Sequence, residues 1–174
     1  MRNYLLLFLF AVSLLGTVPA TTISQLLPSH CRANEQVFFN CKAANGKLIS
    51  LCGSKQLSAT KGYVQYRFGK VGSIELQFPE KLEGSQKEFR YDHYFRYRVD
   101  RSDITFKAAG YEYTVFDYWD GDMKPEGRTS GVTVQSLSNE QNYVQIGCRV
   151  RGMSRLVALE EVVPALEPSV LNPE

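Results

Sequence analysis

The chain has 174 residues, with 44% hydrophobic and 22% charged side chains, 13 Gly and 7 Pro. Those proportions are globular and exclude a collagen, a coiled coil or an intrinsically disordered chain. Twenty basic against 18 acidic residues give a formal charge of +2, which lacks the cationic excess that nucleic-acid binding needs, so no nucleic-acid partner is expected.

Met1-Arg2-Asn3 is a short positive start, and Tyr4 to Leu15 is an almost unbroken apolar run. Gly16, Val18, Pro19 and Ala20 follow it. The segment 1–20 therefore reads as an export signal cleaved before Thr21. Its apolar run is about twelve residues, short of the roughly 20 that span a membrane as a helix. No second run of spanning length follows, so a mature chain without a transmembrane segment, periplasmic or secreted, is expected.

Cys31, Cys41, Cys52 and Cys148 all lie beyond the expected cut. An even number of cysteines in an oxidising compartment reads as two disulfides, and no C-x-x-C or Cys/His spacing suggests a metal. Spacing leaves three pairings open. We favour Cys31 with Cys52, tying the N-terminal segment to an early hairpin, and Cys41 with Cys148, joining an early strand to the last.

Residues 36–52 read as a hairpin turning at Asn45-Gly46. Gly62 to Phe68 alternates, with Val64, Tyr66 and Phe68 on one face, and Ser73 to Phe78 alternates through Ile74, Leu76 and Phe78. A period of two is that of a strand with one face buried. From Phe89 to Val99 the pattern predicts one long strand. Phe89, Tyr91, His93, Phe95, Tyr97 and Val99 share its apolar face, and Arg90, Asp92, Tyr94, Arg96 and Arg98 share the other. Asp103 to Ala108 and Tyr111 to Tyr118 form a pair around Ala109-Gly110. Trp119 to Thr129 reads as a polar loop, and Gly131 to Ser136 with Asn142 to Arg149 as a last hairpin. The expectation is an all-β domain within residues 21–152, an antiparallel barrel or sandwich of about nine strands. The C-terminal segment 153–174 is expected to hold at most one short helix, Arg155 to Val162 capped by Ser154, ended by Pro164 and followed by a loose tail.

Catalytic chemistry is poorly supplied. His30 and His93 are the two histidines, and His93 falls on an apolar strand face. Oxidised cysteines offer no thiolate, and no G-x-S-x-G elbow or phosphate-cradling loop occurs. For a hydrolase with paired carboxylates the available acids are Glu75, Asp92, Asp117 and Asp120. The run Asp117 to Glu126 places several carboxylates around Gly121, a composition that calcium accepts, but EF-hand spacing is absent and Lys124 interrupts it. A solvated loop is the simpler expectation; no metal or other cofactor is predicted. The anomaly is aromatic. Of 10 Tyr, 10 Phe and 1 Trp, eleven lie between Phe89 and Trp119. Arg90, Tyr94, Arg96 and Arg98, extended by Trp119, combine the residue types that interfaces concentrate, and they are the expected binding surface.

Three segments carry a resemblance: Glu35-Gln36-Val37-Phe38-Phe39-Asn40-Cys41, Tyr66-Arg67-Phe68-Gly69 with Glu75-Leu76-Gln77-Phe78-Pro79, and Gly131-Val132 to Cys148. Through them the chain resembles uncharacterised small exported β-proteins of Gram-negative bacteria, and is distantly similar to the periplasmic C-type lysozyme inhibitors. The second resemblance implies a small antiparallel barrel with an early-to-late disulfide. In that family an inhibitory Ser-Gly precedes a tyrosine, whereas here Ser130-Gly131 precedes Val132, Thr133 and Val134, so no inhibitory residue is carried across. The combined expectation is a non-enzymatic periplasmic binder of an envelope protein, an inhibitor or immunity-type protein against a cell-wall hydrolase or toxin. An envelope hydrolase and a structural or assembly protein are its rivals.

Overall fold

The computed structural model describes residues 27–124, 127–139 and 141–167. The expected export signal, Glu126 and the chain end lie outside the described residues. Nine antiparallel strands form one curled, half-barrel sheet. They are β1 (Glu35–Ala43), β2 (Leu48–Ser54), β3 (Val64–Lys70), β4 (Ser73–Phe78), β5 (Arg90–Arg96), β6 (Val99–Ala108), β7 (Tyr111–Asp120), β8 (Gly127–Ser136) and β9 (Tyr143–Ser154). Their order is β4-β3-β2-β1-β9-β8-β7-β6-β5, two meanders joined where β9 docks on β1. Among the described residues no helix is long and apolar enough to cross a membrane.

The curl brings the apolar faces of the two meanders together. Phe106 of β6 stacks on Phe78 of β4 at 4.7 Å between ring centroids and on Tyr113 of β7 at 4.9 Å. Tyr66 and Phe89 close the cluster at 5.0 and 5.3 Å from Phe106. Ile49, Leu51, Ile104, Val115 and Val132, buried without residual exposure, extend that core. At about 25 cal/mol per Å² of apolar surface this burial drives the curl. The favoured disulfides are both present, Cys31–Cys52 and Cys41–Cys148. The second pins β9 beside β1, the one sheet contact between the meanders.

The first meander also buries a charge pair. Glu35 accepts from Arg67 Nη1 and Nη2, both at 2.7 Å, with the two side chains almost fully enclosed. Tyr63 donates its hydroxyl to Glu35 at 2.9 Å, the Arg32 amide donates at 2.6 Å, and Arg67 also donates to Gln65 Oε1 and the His30 carbonyl. Burial pushes the Glu35 carboxyl up, but these hydrogen bonds and the Arg67 charge outweigh it and hold it below the usual carboxylate range.

Three expectations need correction. The strand over Phe89 to Val99 is broken: Arg96 pairs with Val99, and Tyr97-Arg98 is a two-residue turn, with Arg98 at φ 63°. Its apolar face is consequently not core throughout, since Phe95 is 72% and Tyr97 84% exposed. The loop after Trp119 is shorter than expected, because Trp119 and Asp120 end β7 and β8 already begins at Gly127. The expected helix is a single 3-10 turn, Leu156–Leu159, with no side-chain cap. Leu156, Leu159 and Val163 enter the core instead, so packing and not helical propensity sets that segment. Beyond it, Tyr91 donates to the Pro164 carbonyl at 2.9 Å and accepts from the Leu166 amide at 2.8 Å, a short parallel bridge on the outer edge of β5.

Candidate functional site

The β5–β6 hairpin is the exposed end of the second meander. Its register follows from the tight turn: once Arg96 faces Val99, Tyr94 faces Arg101 and Asp92 faces Asp103. On β7, Arg101 lies beside Tyr118 and Val99 beside Asp120. Paired residues share a face, so Asp92, Tyr94, Arg96, Arg101, Asp103 and Tyr118 converge on the outer surface. They line a shallow recess of about 370 Å³.

Ion pairs fix the tip. Arg96 donates to Asp122 at 2.8 Å, Arg98 donates to the other oxygen of Asp122 at 3.3 Å, and Arg98 also donates to the Gly121 carbonyl. Asp122 is held below the usual carboxylate range, first by the Arg96 hydrogen bond and then by the charges of both arginines. Asp120 receives Arg101 at 3.4 Å and accepts from the Asp122 amide at 2.9 Å. The Arg101 guanidinium sits 5.7 Å from the Tyr118 ring centroid. Around these charges Tyr94, Phe95, Tyr97 and Met123 remain open to solvent.

Asp103 is the chemically unusual group. Burial pushes its carboxyl up to about 6, aided by the charge of Asp92 across the hairpin. The Tyr118 hydroxyl, donating at 2.6 Å, and the Arg101 charge act the other way. Tyr118 is itself raised well above a normal phenol, by burial and by bonding to Asp103.

The predicted surface is only partly assembled. Tyr94 and Arg96 meet on the outer face, and Arg98 joins them from the turn through Asp122. Arg90 lies four residue pairs along the ladder from Tyr94, folded back onto the Lys87 and Phe89 carbonyls at 2.8 Å each. Trp119 points to the opposite face, beside Asp100 and Arg128, and its ring packs on Gly121, where any Cβ would meet Cζ2 at 2.9 Å.

The acids are dispersed as well. Glu75 belongs to β4 and pairs with Lys47 at 2.5 Å. Asp117 is buried on the inner face, 3.1 Å from Arg128 and 3.9 Å from Arg151. Asp117, Asp120 and Asp122 thus each face an arginine, and they do not converge as a calcium cage requires. Cys31, Glu35 and Cys52 lie within 4.8 Å of one another, but the sulfurs are joined and the carboxylate is taken by Arg67. His93 bonds Asp100 at 2.9 Å across the inner face. His30 contacts the Gly69 carbonyl at 3.2 Å.

Asp103 was missed by the sequence reasoning. Locating the turn at Tyr97-Arg98 would have placed it opposite Asp92, but neither residue is a strong turn former. Compared with known proteins, the chain matches no family model, no curated protein and no solved structure.

Proposed function

We propose that this is a non-enzymatic binding protein of the bacterial envelope, an inhibitor or immunity-type protein that engages a cell-wall hydrolase or toxin through the β5–β6 hairpin tip. The observation that carries this reading is the tip itself. Tyr94, Phe95 and Tyr97 are 51%, 72% and 84% exposed beside arginines already oriented by Asp122. Rigid aromatic anchors lose little entropy on binding, and guanidinium groups held in place recognise carboxylates with less ordering cost. The apolar start of the chain, its two disulfides and its resemblance to exported β-proteins support an envelope location.

The test is capture from an envelope extract, using the mature protein and a Tyr94→Ala/Arg96→Ala variant. One stoichiometric partner on the parent and at least tenfold weaker capture by a folded variant is the expected result. Equal capture by both would reject the surface.

One arrangement favours a second reading, an envelope hydrolase. Asp92 and Asp103 face each other across a hairpin, and the Asp103 carboxyl, raised to about 6, suits an acid role. Solubilisation of cell wall by the pure protein, lost in Asp103→Asn, would replace the first reading by the second.

A further inference from the structure

We propose that two copies of this protein pair edge to edge through β5, in antiparallel register centred on Tyr94, to form a two-fold symmetric dimer. The proposal does not rest on the envelope partner suggested above.

The two sheet edges differ. On β4, the pairing with β3 slips between Phe68 and Gly69, and such irregularities blunt an edge. β5 pairs with β6 over seven consecutive residues without a slip. Tyr91 directs its amide and carbonyl away from β6, towards Pro164 and Leu166. By the strand's alternation His93 and Phe95 direct theirs to the same side. Among the described residues no backbone group bonds them there. A further parallel rung would need an amide from residue 168, and Pro168 has none.

That leaves an open template of five residues, Asp92-His93-Tyr94-Phe95-Arg96. Antiparallel pairing places edge-directed residues opposite each other. In the register centred on Tyr94, His93 faces Phe95 of the second copy and Phe95 faces its His93. Both pairs exchange two hydrogen bonds, four in all. Centring on His93 would drive Phe95 onto the occupied Tyr91, and centring on Phe95 would drive His93 onto the turn residue Tyr97; each keeps a single bonded pair.

The same register is the one that matches charge. Asp92 faces Arg96 of the second copy, and symmetry repeats the contact, as an isologous interface requires. Both side chains are exposed on the outer face, and Arg96 is already extended along that surface by Asp122. Tyr94 meets Tyr94 between the two charge pairs. On the inner face the exposed Phe95 ring covers His93 of the second copy. The contact is small, so the dimer is a weak, concentration-dependent one of the class below about 1,200 Å².

Sedimentation equilibrium of the mature, oxidised protein alone tests this, over about 1 μM to 1 mM, the range in which weak contacts associate. The expected result is reversible monomer–dimer behaviour. Phe95→Pro removes an edge amide without touching the β6 ladder and is expected to abolish the dimer while thermal unfolding still reports a folded monomer. Asp92→Arg and Arg96→Asp each place like charges opposite one another twice, and each is expected to weaken association at least about tenfold. The double exchange Asp92→Arg/Arg96→Asp restores complementarity and is expected to recover it to within about threefold. A chain that stays monomeric throughout, a dimer that survives in folded Phe95→Pro, or a double exchange that fails to rescue the single ones overturns the proposal. Should Phe95→Pro not fold, the charge exchange decides alone. No envelope partner is in the cell, so failure here leaves the proposed binding role standing.

Discussion

Two ion-pair systems built from the same chemical groups sit in different meanders of this sheet. Glu35 and Arg67 are enclosed in the first meander, where Tyr63, Gln65, the Arg32 amide and the His30 carbonyl supply four further hydrogen bonds to them. Arg96, Arg98 and Asp122 sit in the second, with about half of the Arg96 and Asp122 side chains in water. In the first system the charges have nowhere else to go, so the pair is a structural clamp between β1 and β3. In the second, water already solvates each group. The pairing there contributes little to stability and only fixes where the two guanidinium groups lie. Burial, not the identity of the groups, separates the two roles.

The largest expected effect concerns the bond that holds the two meanders together. Replacing Cys41 and Cys148 by serine opens a cross-link between residues 107 apart and is expected to cost about 5 kcal/mol in the loop-entropy model. Urea unfolding checks it, and the midpoint should fall further than on removing Cys31 and Cys52, 21 residues apart, for which about 3 kcal/mol is expected. An equal loss for both would show that chain entropy does not govern these links.

Breaking the buried clamp comes next. Arg67→Met strands the Glu35 carboxylate without its cation, and about 3–5 kcal/mol of stability is expected to be lost at neutral pH. The pH dependence follows from the direction of the shift. Glu35 is held below its unfolded value of 4.5, so its contribution is full above that pH and disappears as pH falls through the folded value. The gap between parent and Arg67→Met in urea midpoint should therefore narrow in acid.

Asp103 has the opposite sign. Its folded carboxyl is raised from 3.8 to about 6, so between those values the unfolded chain has released a proton that the folded protein retains. Stability from this group is present below about 4 and is lost as pH rises towards 6. Asp103→Asn removes that loss, and its stability relative to the parent should climb across that interval. A difference that stays flat there would place Asp103 in an ordinary solvated environment.

The smallest stability effect is expected at the exposed pair. Arg96→Ala should leave the urea midpoint close to that of the parent, because water already solvates both charges, while weakening partner capture. A loss as large as that of Arg67→Met would erase the distinction between clamp and recognition tip.

Much of the architecture was legible in the chain. Alternation located β3 and β4, because a half-buried strand must repeat every two residues, as in Val64-Tyr66-Phe68 and Ile74-Leu76-Phe78. Asn45-Gly46 marked the first turn because those residues accept positive φ readily. The break at Tyr97-Arg98 escaped notice because Phe95-Arg96-Tyr97-Arg98-Val99 continues the same alternation through a turn with no glycine, proline or asparagine. Phe95 and Tyr97 looked like core for that reason, although they form the solvent-facing tip.

What the sequence by itself determined is local and compositional: an apolar start of signal-like pattern, an all-β chain, an even set of cysteines, and an excess of aromatics between Phe89 and Trp119. Tertiary structure alone decided that β9 lies beside β1, that Glu35 meets Arg67, that Asp92 faces Asp103, and that Trp119 turns away from Tyr94. The physical reason is that strand alternation assigns each side chain a face, but neighbours come from register and curl. Those depend on hydrogen bonds and packing between residues far apart in the chain, and one shifted turn changes which side chains oppose each other.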